Sequence, residues 1–299
     1  YMRHLAPKAL VISETEIWPN LHMAAQEAGI HVALVNARLS AGSFERYRFV
    51  KSFIAYLLKN VRIMATAKEH ADRFKALGVT DVRIMGNMKF DAIPGIHPER
   101  VQILREELGI GSRPVFVAGS IREGEEPGVM KTIAAVRREI PGLFSIVAPR
   151  HHGCIKHLLE HAQHLDIAWM MRSTPPRQDA DILIVDTVGE LFDFYGLAQA
   201  AFVGGSLVDL GGQNILEPIA WGVPTMHGPY MDNFLWALDA VSGNTLIVTN
   251  ADELSRTVIA VIRRPEIYVE KARLARLALE KASGATVRHA GELLQMMSG

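Results

Sequence analysis

Short apolar runs recur along this chain, each followed by a longer stretch of helical spacing, and no other feature limits the fold as much. Ala9–Ser13, 32–36, Val61–Ala65 and 82–85 read as strands. Segments 20–29, 44–59 and 68–77 read as helices, the first closed by Gly29 and the second with Phe49, Phe53 and Leu57 on one stripe. Strand and helix in this order imply a parallel sheet covered on both faces. Segment 91–98, with Pro94, Gly95 and Pro98, has no periodicity and reads as a linker. The pattern then restarts. Strands are expected at 114–120, 144–148, 167–171, 182–186, 201–205 and 224–227, and helices near 123–140, 153–165, 190–197 and 214–221. After 245–249 the remainder reads as helical. The expected class is α/β, with two Rossmann-like domains at 1–97 and 98–299, the first incomplete at its N-terminus.

Composition agrees with a two-domain protein. Of 299 residues, 49% are hydrophobic and 21% charged, so a large core can be buried and disorder is excluded. Lys+Arg and Asp+Glu balance at 32 each, leaving no overall basic field for nucleic acid. An anionic partner must be met by local Arg and Lys. Cys154 is the single cysteine, which rules out an intrachain disulfide and a thiolate metal cluster. No run of about 18 apolar residues is present to span a membrane. No signal peptide is visible, and the chain enters a strand-like run soon after Tyr1, so an N-terminal truncation is expected.

The most informative stretch runs from Phe202 to Pro224. A strand ends at Gly204-Gly205, a loop with Gly211-Gly212 follows, and Asn214 stands where a helix should begin, with Glu217 at capping-box spacing. Glycines allow close backbone approach, and free N–H groups at a helix start favour phosphate. Glu217 would then accept hydrogen bonds from ribose hydroxyls. A plain capped helix after a tight turn explains the same residues.

Several segments together resemble the 3-deoxy-D-manno-octulosonic acid (Kdo) transferases. They are the 202–224 run, Asp186-Thr-Val-Gly-Glu-Leu, Gly119-Ser-Ile-Arg-Glu-Gly-Glu-Glu126, Pro149-Arg-His151, Gly86-Asn-Met-Lys-Phe-Asp91, Asn36-Ala-Arg-Leu-Ser40 and Glu14-Thr-Glu-Ile-Trp-Pro-Asn20. They fall in the family's order and cover nearly the whole chain, least in the last helices. The resemblance implies the GT-B architecture and transfer of Kdo from CMP-Kdo to a lipid A precursor, at the cytoplasmic face of the bacterial inner membrane. CMP leaves as a sugar hydroxyl attacks the anomeric carbon, a carboxylate takes the proton, and cations meet the departing phosphate. No metal or organic cofactor is implied.

Residue by residue, the resemblance assigns donor binding to Arg150, His151, Gly189, Glu190, Gly205, Asn214 and Glu217. It assigns catalysis to Glu14, Glu16 and Lys89, with the main base upstream of this sequence. Arg38, Ser120 and Arg122 would meet the acceptor or a phosphate. Simpler roles exist for each: Arg150 as a surface cap, Glu190 as a helix-dipole partner, Lys89 and Arg38 as solvated cations. Glu14 and Glu16, two apart on a strand, would point the same way and suit acid–base work.

The chain departs from the family pattern at Ile121-Arg122, at Gln213 and Ile215, and at His152-Gly153-Cys154, which puts acceptor identity in doubt. By itself it is expected to bind donor with little transfer. His157, His161 and His164 share one helix face without a carboxylate in register, a weak metal pattern. Cys154 at a helix start could have a lowered pKa. The Arg-rich late helix and 246–248 could touch acidic headgroups, although a solvated face explains them too. Two other functions remain open: a UDP-sugar transferase or epimerase of the same fold, and a donor-binding module without catalysis.

Overall fold

The computed structural model describes residues 2–5 and 7–298. The chain divides into two compact units, 1–92 with 282–299, and 93–281.

The first unit runs α1 (Met2–Leu5), β1 (Ala9–Ser13), α2 (Pro19–Glu27), β2 (His31–Ala37), α3 (Ala41–Arg48), α4 (Lys51–Leu57), β3 (Val61–Ala65), α5 (Lys68–Ala76) and β4 (Val82–Ile84). A 3-10 turn follows at Met88–Ala92. The four strands form one parallel sheet in the order β1-β2-β3-β4. Residues 32–37 of β2 are all buried, as expected of a strand covered on both faces. Leu34, Ile63 and Phe74 anchor the packing on one face.

The second unit runs α6 (Pro98–Glu107), β5 (Val115–Ile121), α7 (Glu126–Glu139), β6 (Phe144–Pro149), α8 (Gly153–His164), β7 (Trp169–Met171), β8 (Ile182–Ile184), α9 (Leu191–Tyr195), β9 (Ala200–Val203) and α10 (Leu216–Ala220). It ends with β10 (Thr225–His227), α11 (Leu235–Ala240), β11 (Leu246–Ile247), α12 (Ala251–Arg263) and α13 (Pro265–Ala282). Its seven parallel strands are ordered β11-β10-β9-β5-β6-β8-β7. From β5 the chain builds outward one way through β6, then returns to place β9 on the other side. The switch point therefore lies between β5 and β9, where ligands bind doubly wound sheets. Val129, Ile133 and Val258 cover one face, and Phe144, Phe194 and Leu183 the other.

The last helix, α14 (Ala285–Ser298), returns to the first unit, which corrects the assignment of 98–299 to one domain. Met296 packs with Ala33, Val35 and Met64. The Asn36 amide donates to His289 Nε2 at 3.1 Å. Asp91 is no linker residue either: its carboxylate accepts the amide hydrogens of Gly284 and Thr286, each at 2.5 Å.

The expected helix over 44–59 is broken. α3 ends at Arg48, Phe49 and Val50 turn, and α4 begins at Lys51. Of the proposed stripe, Leu57 is buried while Phe49 is 91% exposed. Ser40 caps α3 by accepting the Ser43 amide hydrogen, a start signal that spacing of apolar residues does not reveal.

Candidate functional site

The carboxyl edge of the second sheet gathers the ends of β5, β6 and β9 and the loops after β8 and β9. β5 bulges at Ser120, which is left-handed (φ 56°). Glu125, just ahead of α7, is almost fully buried. Its Oε2 accepts the amide hydrogens of Arg122 (3.0 Å) and Gly205 (2.6 Å). Its Oε1 accepts those of Ser206 (3.0 Å) and Leu207 (2.9 Å). A Cβ at Gly204 would lie 2.7 Å from Glu125 Oε2 and from the backbone of Ser120 and Ile121, so only glycine fits there. Gly205, expected among the donor-binding residues, gives its amide hydrogen to Glu125.

The other glycines of the loop have packing roles. Gly211 and Gly212 are left-handed, and side chains there would collide with Asn233 and Met231. Asn214 lies one residue before the helix cap, which is Ile215, and so corrects the capping-box expectation. Its Oδ1 accepts the Leu216 amide hydrogen at 3.1 Å, and its Nδ2 donates to Glu217 Oε1 at 3.2 Å. Burial pushes the Glu217 carboxyl above its ordinary range, against the Asn214 hydrogen bond and the field of Arg150. Glu217 in turn adds to the burial that drives the Tyr195 hydroxyl upward. Tyr195 fills the space that a side chain at Gly119 would need.

Arg150 and His151 follow β6 and are exposed. The Arg150 amide is tied to the Ile121 carbonyl at 2.8 Å, while its guanidinium has no hydrogen bond or ion pair among the described residues. Arg122 Nε is buried without a hydrogen-bond partner. Gly189 is left-handed with open space at its Cβ. Glu190 is not free: Arg172 donates to it from Nε (3.1 and 3.2 Å) and Nη2 (2.8 Å), and Thr187 from Oγ1 (2.6 Å). Its carboxyl lies below the ordinary range because these bonds outweigh burial.

Sequence reading missed Glu125, and it missed Glu126, which sits buried at the start of α7 with Oε1 unpartnered by hydrogen bonds. Glu126 lies 3.7 Å from His157 Nδ1. It also overturns the expectation for Cys154. Burial first, then the Glu126 carboxyl, pushes that thiol up to about 11 instead of lowering it.

In the first unit, β1 stops at Ser13 and Glu14 is left-handed (φ 63°), so strand alternation does not align Glu14 with Glu16. Glu14 Oε1 pairs with Lys89 Nζ at 2.8 Å. Asn36, also left-handed (φ 53°), sets up this pair: its Oδ1 accepts the Met88 amide hydrogen at 2.9 Å, next to Lys89. Glu14 and Arg38 both line a cavity of about 290 Å³ with Thr15, Leu39, Ser40, Ser43, Tyr47 and His70; Glu16 does not.

Residues 1–92 match the family model described as 3-Deoxy-D-manno-octulosonic-acid transferase (kdotransferase). A 3-deoxy-D-manno-octulosonic acid transferase of Bordetella pertussis is 31% identical over 96% of this chain and 68% of its own. The transferase of the same name from Haemophilus influenzae is 30% identical over 89% of this chain, and the match spans 64% of its length. Among solved structures, the C-terminal CMP-Kdo binding domain of WaaA from Acinetobacter baumannii is 29% identical with a TM-score of 0.57, covering 61% of this chain and 97% of that domain. The two parallel-sheet units are those of GT-B glycosyltransferases. On this ground the chain belongs to the Kdo transferase family.

Proposed function

We propose that this chain belongs to a glycosyltransferase that moves Kdo from CMP-Kdo to a lipid A precursor in lipopolysaccharide core biosynthesis. One observation carries the reading: a CMP-Kdo binding domain matches 61% of the chain at 29% identity. The second unit has the groups such a donor needs at one sheet edge. The Arg150 guanidinium and the buried Arg122 Nε suit the phosphate, and the Asn214–Glu217 pair suits ribose hydroxyls. Gly189 gives the backbone room to approach the nucleotide. Glu190, held by Arg172 and Thr187, shapes that turn.

The step is a displacement at the anomeric carbon of Kdo. The acceptor hydroxyl oxygen forms the new C–O bond, the bond to the phosphate oxygen breaks, and CMP carries off the electron pair. Cations near the phosphate stabilise the leaving group, and a carboxylate accepts the hydroxyl proton. The balance needs no metal or organic cofactor. Of the first-unit groups, Glu14 and Lys89 are the better candidates for the acceptor side, because their ion pair adjoins a cavity that Glu16 does not line.

A membrane surface as partner is supported by the α3–α4 turn. Phe49 (91% exposed), Val50, Phe53 and Tyr56 stand out from the surface, and Arg46, Arg48, Lys51 and Lys59 lie in the same segment. Exposed aromatics flanked by cations are what an anionic bilayer face attracts. No helix of the described residues is long and apolar enough to cross a membrane.

The test is calorimetric titration with CMP and with UDP, repeated on Asn214→Ala and Glu217→Ala. Preference for CMP, weakened by both substitutions, supports the reading. A preference for UDP moves the chain to a UDP-sugar enzyme of the same fold. Binding that ignores both substitutions removes Asn214 and Glu217 from the donor site.

A further inference from the structure

Glu126 is a buried carboxylate that the transfer step leaves unused, and only one of its two oxygens is satisfied. Oε2 accepts the Gly124 amide hydrogen at 2.7 Å. Oε1 is buried with no hydrogen-bond partner among the described residues. A desolvated carboxylate oxygen in this state is costly unless a cation or donor faces it. The group placed to do so is His157, half-exposed in the second turn of α8, whose Nδ1 lies 3.7 Å from Glu126 Oε1. The Cys154 thiol lies against the same carboxylate, but burial and the Glu126 charge keep it protonated, so it brings no charge of its own.

What this carboxylate holds is the turn that presents Arg122. The Glu125 amide donates to the Arg122 carbonyl at 3.1 Å, and the Glu125 side chain accepts the Arg122 amide hydrogen at 3.0 Å. Gly124, between them, is left-handed (φ 91°), and its amide is the one that Glu126 takes. Two consecutive carboxylates thus close residues 122–125. Arg122 leaves the turn with Nε buried and without a hydrogen-bond partner. Release of the Gly124 amide lets the turn tilt, and the Arg122 guanidinium tilts with it.

We infer that Glu126 is a positioning residue for Arg122, and that a proton on His157 strengthens its grip, so that donor affinity rises in acid. This rests on the reading of the second sheet edge as the donor site. Histidine is the side chain that changes charge between about pH 5 and 8. Charged His157 sets a cation beside the unpartnered Oε1, stabilises the buried carboxylate and keeps Oε2 on the Gly124 amide. The pairing is present at low pH and lost as pH rises. Other charges adjoin the cluster. Arg122 and Glu123, opposite in sign, reach it from the 122–125 turn. On α8 itself Lys156 pairs with Glu160 at 3.8 Å, His161 follows one turn on, and His151 and His152 precede the helix.

The experiment is calorimetric titration of the full chain with CMP from about pH 5.5 to about pH 8.5. The parent is compared with His157→Gln, Glu126→Gln and the double variant, and thermal unfolding establishes that each folds. Glu126→Gln keeps an oxygen for the Gly124 amide but no charge. The CMP phosphate and the other histidines take up protons in every arm, so they cancel in the ratio of affinities at one pH. The parent is expected to bind CMP about threefold to fivefold more tightly than His157→Gln at the acid end, as a half-exposed ion pair should give, and equally at the alkaline end. Adding His157→Gln to Glu126→Gln should change nothing at any pH. The ratio should also vanish in an Arg122→Gln background, because the proton acts through Arg122. A ratio that does not vary with pH, or one that survives in the Glu126→Gln or Arg122→Gln background, overturns the inference and leaves the donor reading standing. No CMP binding to the parent at any pH overturns the donor reading, and this role with it.

Discussion

Glu125 and Gly205 meet at 2.6 Å, carboxylate oxygen to amide hydrogen donor, at the switch point of the second sheet. A doubly wound fold usually keeps such amides for a ligand phosphate. Here the chain supplies its own anion. On the proposed donor reading, a phosphate at this edge would be met by side-chain cations, of which Arg150 and Arg122 lie here.

The same grip sets a stability prediction. Glu125→Ala removes the acceptor from four amides, those of Arg122, Gly205, Ser206 and Leu207. Loss is expected to be about 3–5 kcal/mol, the range for stripping one side of a buried charged network. Urea denaturation measures it. A change under about 1 kcal/mol would mean that water replaces the carboxylate without penalty.

Glu217 should leave a signature in the pH dependence of stability. Burial raises its carboxyl above the ordinary 4.5. The native state then holds a proton that the unfolded chain has already lost, so stability is full below pH 4.5 and declines as pH rises through the raised value. Glu217→Gln abolishes that titration. The variant should gain in Tm relative to the parent at neutral pH, and the gain should shrink toward acid. A pH-independent difference would show that Glu217 titrates alike in both states.

Cys154 is expected to be inert in the native protein. With its thiol pushed up to about 11, little thiolate exists at mildly alkaline pH. Iodoacetamide should label it slowly when folded and readily in denaturant. Fast labelling of the native chain would contradict the burial described for it.

The α3–α4 turn can be tested with vesicles. Phe49→Asp and Phe53→Asp should reduce sedimentation with vesicles of mixed phosphatidylethanolamine and phosphatidylglycerol, and added salt should weaken the parent's binding. Binding that is indifferent to both changes would assign membrane contact to another surface.

His289 connects to the candidate catalytic pair through Asn36 and Met88. It accepts the Asn36 amide hydrogen, Asn36 holds Met88, and Lys89 follows against Glu14. His289→Leu should lower transferase activity. His289→Gln, which restores an acceptor, should recover part of it. Equal loss in both variants would reduce His289 to a packing role.

Much of this was legible in the residues. Continuous apolar runs such as 115–118 and 200–203 identify buried parallel strands, and the two-unit α/β class follows from their alternation with helices. Sequence also placed Arg38 and Arg150 at strand ends and Glu217 at the start of a helix. It failed where side chains from distant positions meet. Nothing about Glu125 in sequence reveals that amides eighty residues on will converge upon it. Likewise, the 44–59 helix looked continuous because apolar spacing survives across the Phe49–Val50 turn, and left-handed Glu14 breaks the alternation that would have paired it with Glu16. The glycines at 211 and 212 read as ligand-binding because close approach of a neighbouring loop leaves the same mark.

The return of α14 to the first unit makes the second unit, topologically, an insertion within the first. Synthesis therefore delivers the inserted unit whole before the outer one can be completed. Until residues 284–298 leave the ribosome, Ala33, Val35 and Met64 lack the cover that Met296 provides, and Asp91 lacks the amides of Gly284 and Thr286. The usual order, in which the earlier segment folds first, is reversed here: the outer unit waits with an apolar face open. A nascent chain stalled before this last helix emerges is the species most exposed to aggregation and to proteases.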